Sequence, residues 1–316
     1  MTTKIALAGP GAFGRKHLEG LKRIDDAEVM VIVDPSLAHA KKTADDFGVP
    51  NAVDDLQAAL DMDDVEAVIL ATPTQLHAQQ AIQCMHAGKH VEVEIPVADS
   101  LADAEAVLRT QQETGLICAV GHIRRFNPSH RWVHQRILAG ELTIQQMDVQ
   151  TYFFRRENLN ALGEPRSWTD HLLWHHAAHT VDLFQYQTGE KIVAVNGIEG
   201  PHHPELGIAM DMSIQMRAES GAILTLSLSF TNDGPLGSFI RYICDNGTYI
   251  ARYDDLVDGY ENAIDVSGVD VSMDGIELQD RDFIAAVRGE KSPRAGVAEV
   301  IECYRMLNEV ELQFSG

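Results

Sequence analysis

The 316-residue sequence predicts an α/β protein: an N-terminal doubly wound parallel sheet, then an α+β half built on an antiparallel sheet. Three observations carry this expectation. Short apolar runs alternate with helix-like segments through residue 121. A glycine-rich turn, Gly9-Pro10-Gly11-Ala12-Phe13-Gly14, joins the first run to the first helical segment. Past Gly121, strand-like runs follow one another with few helices between them. Strand, helix, strand at short spacing implies right-handed crossovers and a parallel sheet, whereas strands in direct succession imply antiparallel pairing.

The elements follow in order. Lys4–Ala8 is a strand and Arg15–Ile24 a helix. Glu28–Val33 is a second strand, closed by Asp34, and Leu37–Phe47 is a helix stopped by Gly48. Val65–Ala71 is a buried strand, and Gln75–Ala87 a helix ended by Gly88. Val91–Ile95, the helix Leu101–Thr114 with Gly115 behind it, and Leu116–Val120 complete this half. The second half offers strands at 146–154, 192–198, 210–216, 222–230 and 239–244. Asp245-Asn246-Gly247-Thr248 reads as a hairpin turn with Asn-Gly at its centre, where both residues tolerate positive φ. Two helices, about 276–288 and 297–312, close the chain. The expected domains are residues 1–121 and 122–316.

Composition excludes several function classes. The net charge of −22 argues against nucleic acid and anionic membrane surfaces as partners. No apolar run reaches the ~18 residues of a membrane span, and no signal-peptide pattern precedes the first strand. The cysteines at 84, 118, 244 and 303 are scattered, without a C-x-x-C pair. They fit reduced thiols and a cytoplasmic enzyme. An anionic substrate would need local arginines and histidines to overcome the global repulsion.

The glycine motif reads G-x-G-x-x-G between a strand and a helix. In that setting the glycines let backbone N–H groups approach a pyrophosphate at a helix N-terminus. Asp34, twenty residues beyond Gly14, stands where a carboxylate meets the adenosine ribose hydroxyls. A nicotinamide dinucleotide, NAD(P), is the expected cofactor, with Gly9, Gly11, Ala12, Phe13, Gly14 and Asp34 as contacts. Thr72, Pro73, Thr74 and His77, with Glu94 and Pro96, follow two further strands at the carboxyl edge, where such folds bind ligands.

In the second half, Ser167-x-x-Asp170 suggests a capping box starting a helix. His171, His175, His179 and Asp182 then recur at spacings of four, four and three, which puts all four on one face of an α-helix. His122, Arg124 and Arg125 follow the last strand of the first half and are expected at the same crevice. Arg155, Arg156 and Arg241 are further guanidinium groups of the type that matches carboxylates bidentately. Each could equally be a surface ion-pair partner. Histidines four apart could chelate zinc, but hydride transfer needs no metal and no acid is spaced like the third ligand of a zincin. The expectation is no metal.

GPGAFG, the TPTQLH turn, the Glu94-Ile95-Pro96 strand end and the His179-x-x-Asp182 helix together resemble the glucose-fructose oxidoreductase / inositol dehydrogenase / MocA (Gfo/Idh/MocA) superfamily. The resemblance spans the chain, with two departures. Ile95 stands where the family has the lysine of Glu-Lys-Pro, and His175 where it has an acid. The stretches around VEVEIPVADS, GHIRRFNPSHR and HLLWHHAAHTVDLF resemble one branch, dehydrogenases of protocatechuate 4,5-cleavage pathways. That resemblance implies oxidation of the cyclic hemiacetal of 4-carboxy-2-hydroxymuconate-6-semialdehyde to 2-pyrone-4,6-dicarboxylate with NAD(P)+, and a homodimer. It implies His179 as base with His175 or His176 as relay, and His122, Arg124, Arg125, Arg155 and Arg241 near the dicarboxylate. A hemiacetal hydroxyl is acidic enough for a neutral imidazole to act as base. A lysine at 95 could instead form a Schiff base with the open-chain aldehyde. The alternatives are a generic polyol or sugar dehydrogenase of the same superfamily and a cofactor-binding sensor without catalysis.

Overall fold

The computed structural model describes residues 2–155, 157, 159 and 169–314. Contacts divide the chain into two compact units, residues 1–122 with 276–301, and residues 123–275 with 302–316.

The first unit runs β1 (Thr3–Ala8), α1 (Ala12–Leu21), β2 (Ala27–Val33), α2 (Leu37–Phe47), β3 (Asn51–Val53), α3 (Leu56–Leu60), β4 (Ala67–Leu70), α4 (Thr74–His86), β5 (His90–Val93), α5 (Leu101–Thr114) and β6 (Cys118–Val120). Its six strands are all parallel, in the order β3-β2-β1-β4-β5-β6. β4 is buried along its whole length, and β1 at all but one position. That is why both read as unbroken apolar runs rather than alternating ones. Ser36 caps α2 from its side chain, and Gly48 ends it in the left-handed region, as the spacing predicts. Sequence reading passes over β3 and α3, which are too short to show a period.

The second unit opens with α6 (Pro128–Leu138) and β7 (Ile144–Tyr152). A π-helical turn, Leu172–Ala177, runs into α7 (Ala178–Thr188). Six strands follow: β8 (Ile192–Glu199), β9 (Asp211–Ala218), β10 (Ile223–Ser229), β11 (Gly237–Cys244), β12 (Gly247–Arg252) and β13 (Asp255–Asp258). The sheet order is β13-β12-β11-β7-β10-β9-β8. All neighbours run antiparallel except β7 and β10, which pair in parallel, so the expected antiparallel sheet is mixed. Alternation divides its faces. Leu224, Leu226 and Leu228 are buried on one side, while Thr225, Ser227 and Ser229 are half-buried on the other. The hairpin departs from expectation by one residue: Cys244 pairs with Gly247, leaving Asp245 and Asn246 at the centre, and neither takes positive φ.

α8 (Gly275–Val287) and α9 (Val297–Phe314) close the chain. The expected boundary put everything after 121 into the second domain, and the contacts correct this. Phe283 and Ile284 of α8 pack into the cluster of Ile5, Leu7, Leu18 and Leu21, so residues 276–301 return to the first unit. An amphipathic helix displays its apolar stripe but not the sheet it will cover.

Candidate active-site halves

The glycine turn assigns each glycine a different task. Gly9 has φ +85°, and a Cβ there would lie 2.5 Å from the Ala71 carbonyl oxygen. A Cβ on Gly14 would stand 2.2 Å from the Gly9 oxygen, so Gly14 lets α1 close onto β1. Gly11 is different, because a Cβ there meets nothing within 4 Å. It is the N-cap of α1 and supplies no side-chain cap. The first-turn N–H groups behind Ala12 and Phe13 thus form an open anion cradle, which fits a dinucleotide pyrophosphate. Asp34, at the end of β2, accepts from Ser36 N at 2.8 Å and lies 3.0 Å from His39 Nδ1.

The TPTQLH turn serves structure more than ligand. His77 is buried, with Nδ1 2.7 Å from the Pro96 carbonyl and Nε2 2.7 Å from the Thr72 carbonyl. Burial pushes its pKa down, although both carbonyls oppose that shift. Through both nitrogens His77 ties the turn to the next strand end at Pro96. Thr72 donates to Gln80 at 2.6 Å. Pro73 and Thr74 begin α4 at the carboxyl edge of β4.

Glu94, just past β5, belongs to a buried ionic cluster that sequence reading misses. His17 of α1 lies 3.1 Å from Glu94 Oε1 through Nε2, and 2.7 Å from Asp280 Oδ1 through Nδ1. Gln279 donates to the same Glu94 oxygen at 3.1 Å. Burial would push Glu94 up, but hydrogen bonding and charge from His17 outweigh it and hold the carboxyl below its usual range. Burial would lower His17, yet the charge of Asp280 and then of Glu94 raise it well above an ordinary imidazole. Glu92, fully buried, is pushed well up by burial and then by Asp280. The available signal is Glu92-x-Glu94 itself, because two acids on one side of a buried strand demand compensation.

In the second unit, Arg124 and Arg125 are chain neighbours with opposite fates. Arg125 pairs bidentately with Asp182 of α7, at 2.8 and 2.6 Å, and lies over Tyr186 at 4.7 Å. Its expected part in substrate binding is therefore corrected to a buried structural ion pair. Asp182, 1% exposed, is taken up by this pair. Arg124 meets a hydroxyl instead, donating to Ser238 Oγ at 2.6 Å, and Ser238 lies 3.0 Å from Thr151 Oγ1. Among the described residues no carboxylate pairs with Arg124. Burial lowers its pKa to about 10, so it remains a cation. Ser238 and Thr151 escape sequence reading because nothing marks two hydroxyls on strands 87 residues apart as neighbours.

The histidines gather on the π turn. His171 lies before the helix and caps it, accepting from Leu173 N through Nδ1 at 3.2 Å. Asp170 therefore precedes the helix instead of occupying its first turn, and the Ser167 half of the expected capping box lies outside the described residues. The ring of His175 is 4.8 Å from that of His176 and 6.3 Å from that of His179. His176 is buried between Phe153 and Phe230, at 5.0 and 5.1 Å. Burial, then the charge of His175, press its pKa well below an ordinary imidazole, and among the described residues Nε2 has no hydrogen-bond partner. His175 and His179 are half-buried. A π turn over Leu172–Ala177 replaces the uniform α-helical stripe; such turns cluster at functional sites.

Two further arginines are reassigned. Arg155 pairs with Asp170 and lies 5.1 Å over Phe230, so its charge is already met. Burial would raise Asp170, but His175 and then Arg155 hold it down at about 2. Arg241 points to the open face of the sheet, half-exposed, 3.8 Å from Asp148 across the β11–β7 pair. Its neighbours Ile240 and Tyr242 take the covered face, so alternation alone keeps Arg241 from the Arg124 hydroxyls. Arg156 lies outside the described residues, and His122 is buried at the end of the first unit. Asp170, His175 and His176 bring ligand-type atoms within 4.8 Å of one another. An acid does therefore stand by the histidines, contrary to the spacing argument, with Arg155 held on it.

A parallel dinucleotide-binding unit joined to an α+β unit bearing neutral imidazole and a buried guanidinium defines an NAD(P)-dependent oxidoreductase. Residues 3–122 match the model of the oxidoreductase family with the NAD-binding Rossmann fold, and residues 128–270 that of the C-terminal domain of bacterial oxidoreductases. The chain is 68% identical over 310 residues to 4-carboxy-2-hydroxymuconate-6-semialdehyde dehydrogenase of Sphingobium sp. (strain SYK-6), covering 98% of each chain. It is 27% identical to scyllo-inositol 2-dehydrogenase (NAD(+)) of Bacillus subtilis (strain 168), over 75% of this chain and 70% of that one. UDP-N-acetylglucosamine 3-dehydrogenase GnnA from Acidithiobacillus ferrooxidans superposes with a TM-score of 0.84 at 20% identity, covering 99% of this chain and 98% of that one. The chain belongs to the Gfo/Idh/MocA family of oxidoreductases and is an NAD(P)-dependent dehydrogenase. No helix among the described residues is long and apolar enough to cross a membrane.

Proposed function

We propose that this enzyme oxidises the cyclic hemiacetal of 4-carboxy-2-hydroxymuconate-6-semialdehyde to 2-pyrone-4,6-dicarboxylate in protocatechuate degradation. The observation that carries this reading is Arg124, a half-buried guanidinium facing hydroxyls where a structural arginine would face an acid. A polyol offers nothing to neutralise such a charge; a dicarboxylate does. The 68% identity with the semialdehyde dehydrogenase points the same way.

The reaction removes a hydride from the hemiacetal carbon and a proton from its hydroxyl, leaving a lactone carbonyl. Bound NAD(P)+ supplies the hydride acceptor, held by the Gly9–Gly14 turn and Asp34. His179 takes the hydroxyl proton, with His175 or His176 as relay or substrate contact beside it. Arg124, oriented by Ser238, binds one carboxylate, and His122 contributes to substrate binding. Ile95, 4% exposed, presents no amine to the aldehyde form. The enzyme works in the cytoplasm as a homodimer, a state supported by the half-buried Thr225, Ser227 and Ser229 face. Nothing in the chemistry calls for a metal.

The test is NAD(P)H formation with the ring-cleavage product of protocatechuate, set against inositol and glucose. Turnover of the semialdehyde alone supports the proposal. Turnover of inositol or glucose alone sinks it in favour of a polyol dehydrogenase, and cofactor binding without turnover of any leaves a sensor.

A further inference from the structure

The buried cluster around Glu94 has a job that dinucleotide binding alone does not explain. The glycine turn at β1 takes the pyrophosphate and Asp34, at the end of β2, the adenosine ribose. The nicotinamide half therefore extends the other way across the sheet order, over the carboxyl ends of β4 and β5. Glu94 is the first residue past β5 but one side-chain step from solvent, 14% exposed. A Cβ on Gly121 would fall 2.7 Å from its Oε1, so the end of β6 is bare to let the carboxylate lie there. Beneath it His17, wholly buried, is held between Glu94 and Asp280. A Cβ on Gly20 would stand 3.3 Å from Asp280 Oδ2, so α1 carries a glycine where α8 delivers that acid.

Two carboxylates, Asp280 at 2.7 Å and Glu94 at 3.1 Å, flank the single imidazole of His17, so the acids of this buried cluster outnumber the one group that can balance them. The nicotinamide ring is cationic in NAD(P)+ and neutral in NAD(P)H. A fixed negative charge near it stabilises the first and not the second, and burial keeps solvent from screening the difference. We propose that Glu94, positioned by the Asp280–His17 pair, makes the first unit bind the oxidised cofactor in preference to the reduced one. The cluster thereby biases the enzyme toward substrate oxidation and product release of NAD(P)H. His17 and Asp280 are positioning residues, and Glu94 is the group that faces the cofactor. This rests on the reading of Glu94 as a cofactor contact and is independent of the substrate assignment.

Equilibrium titration of the full-length enzyme with NAD(P)+, NAD(P)H and ADP-ribose, without substrate, tests it. ADP-ribose lacks the nicotinamide and reports only the glycine turn and Asp34. Glu94→Gln should lower the preference for the oxidised form about three- to tenfold, the scale of one partly screened charge at nicotinamide distance. ADP-ribose affinity should stay unchanged. Asp280→Asn should shift the same ratio in the same direction by less, and Glu94→Asp should restore part of it. The isosteric Asp280→Asn arm keeps the test decisive should the Glu94 variant misfold. An unchanged oxidised-to-reduced ratio in the folded variants overturns the proposal, as does equal weakening of both forms. Failure of the wild type to bind ADP-ribose would instead strike the cofactor assignment itself.

Discussion

The glycine turn of the first unit and the histidine turn of the second each shape the start of a helix, by opposite means. At Gly9–Gly14 the work is done by missing side chains: one glycine folds the chain, one admits the helix, and Gly11 leaves open space. At Leu172–Ala177 it is done by side chains crowded together on a widened turn. The first kind of site leaves its mark in residue type, because only glycine meets the steric demand. The second leaves its mark in spacing alone, and spacing mistook a π turn for an α-helix.

Breaking each half separately sharpens the contrast. The largest effect should come from His179→Asn, with kcat down about 10²- to 10⁴-fold and cofactor affinity untouched, as for loss of a general base. Steady-state kinetics beside cofactor titration checks it; weakened cofactor binding would dissociate His179 from the chemistry. Arg125→Ala removes one partner of a buried pair and should destabilise the fold by about 3–5 kcal/mol, measured by denaturant unfolding. Arg124→Ala should leave stability nearly alone and raise KM for the dicarboxylate about ten- to a hundredfold. If the two adjacent arginines gave the same phenotype, the division of labour drawn between them would be wrong.

On the cofactor side, Gly11→Ala should fold with an unchanged melting temperature yet bind NAD(P) about tenfold more weakly, since its methyl group intrudes on the cradle. The pH response of stability gives a subtler measure. His17 has a folded pKa above its unfolded one, so its contribution is complete below about pH 6.5 and fades as pH rises through the folded value. The stability difference between wild type and His17→Gln should therefore be greatest on the acid side and shrink on the alkaline side. The smallest effect belongs to Arg241→Ala, with KM changed by no more than about twofold, because the side chain lies on the open sheet face.

Local patterns told much of this in advance. Buried parallel strands, capped helices and the glycine motif are short-range features, each fixed by a few consecutive residues, and all are present, although α1 begins three residues before the expected Arg15. The neighbours of charged groups are another matter. Arg124, Arg125 and Arg155 are the same residue type in similar company, and their roles separate only when Ser238, Asp182 and Asp170 are brought to them. The two carbonyl partners of His77 are backbone atoms, which residue identity does not reveal.

By itself, then, the chain's order of residues determined the dinucleotide-binding half, its glycine cradle and the presence of a histidine-rich helix, since those depend on backbone sterics and local periodicity. Tertiary structure alone decided that α8 returns to the first unit, that His17 and Asp280 clamp Glu94, and which arginine meets a carboxylate and which a hydroxyl. Those outcomes depend on which distant carboxylate arrives first at a buried cation, and electrostatic pairing across hundreds of residues has no local signature.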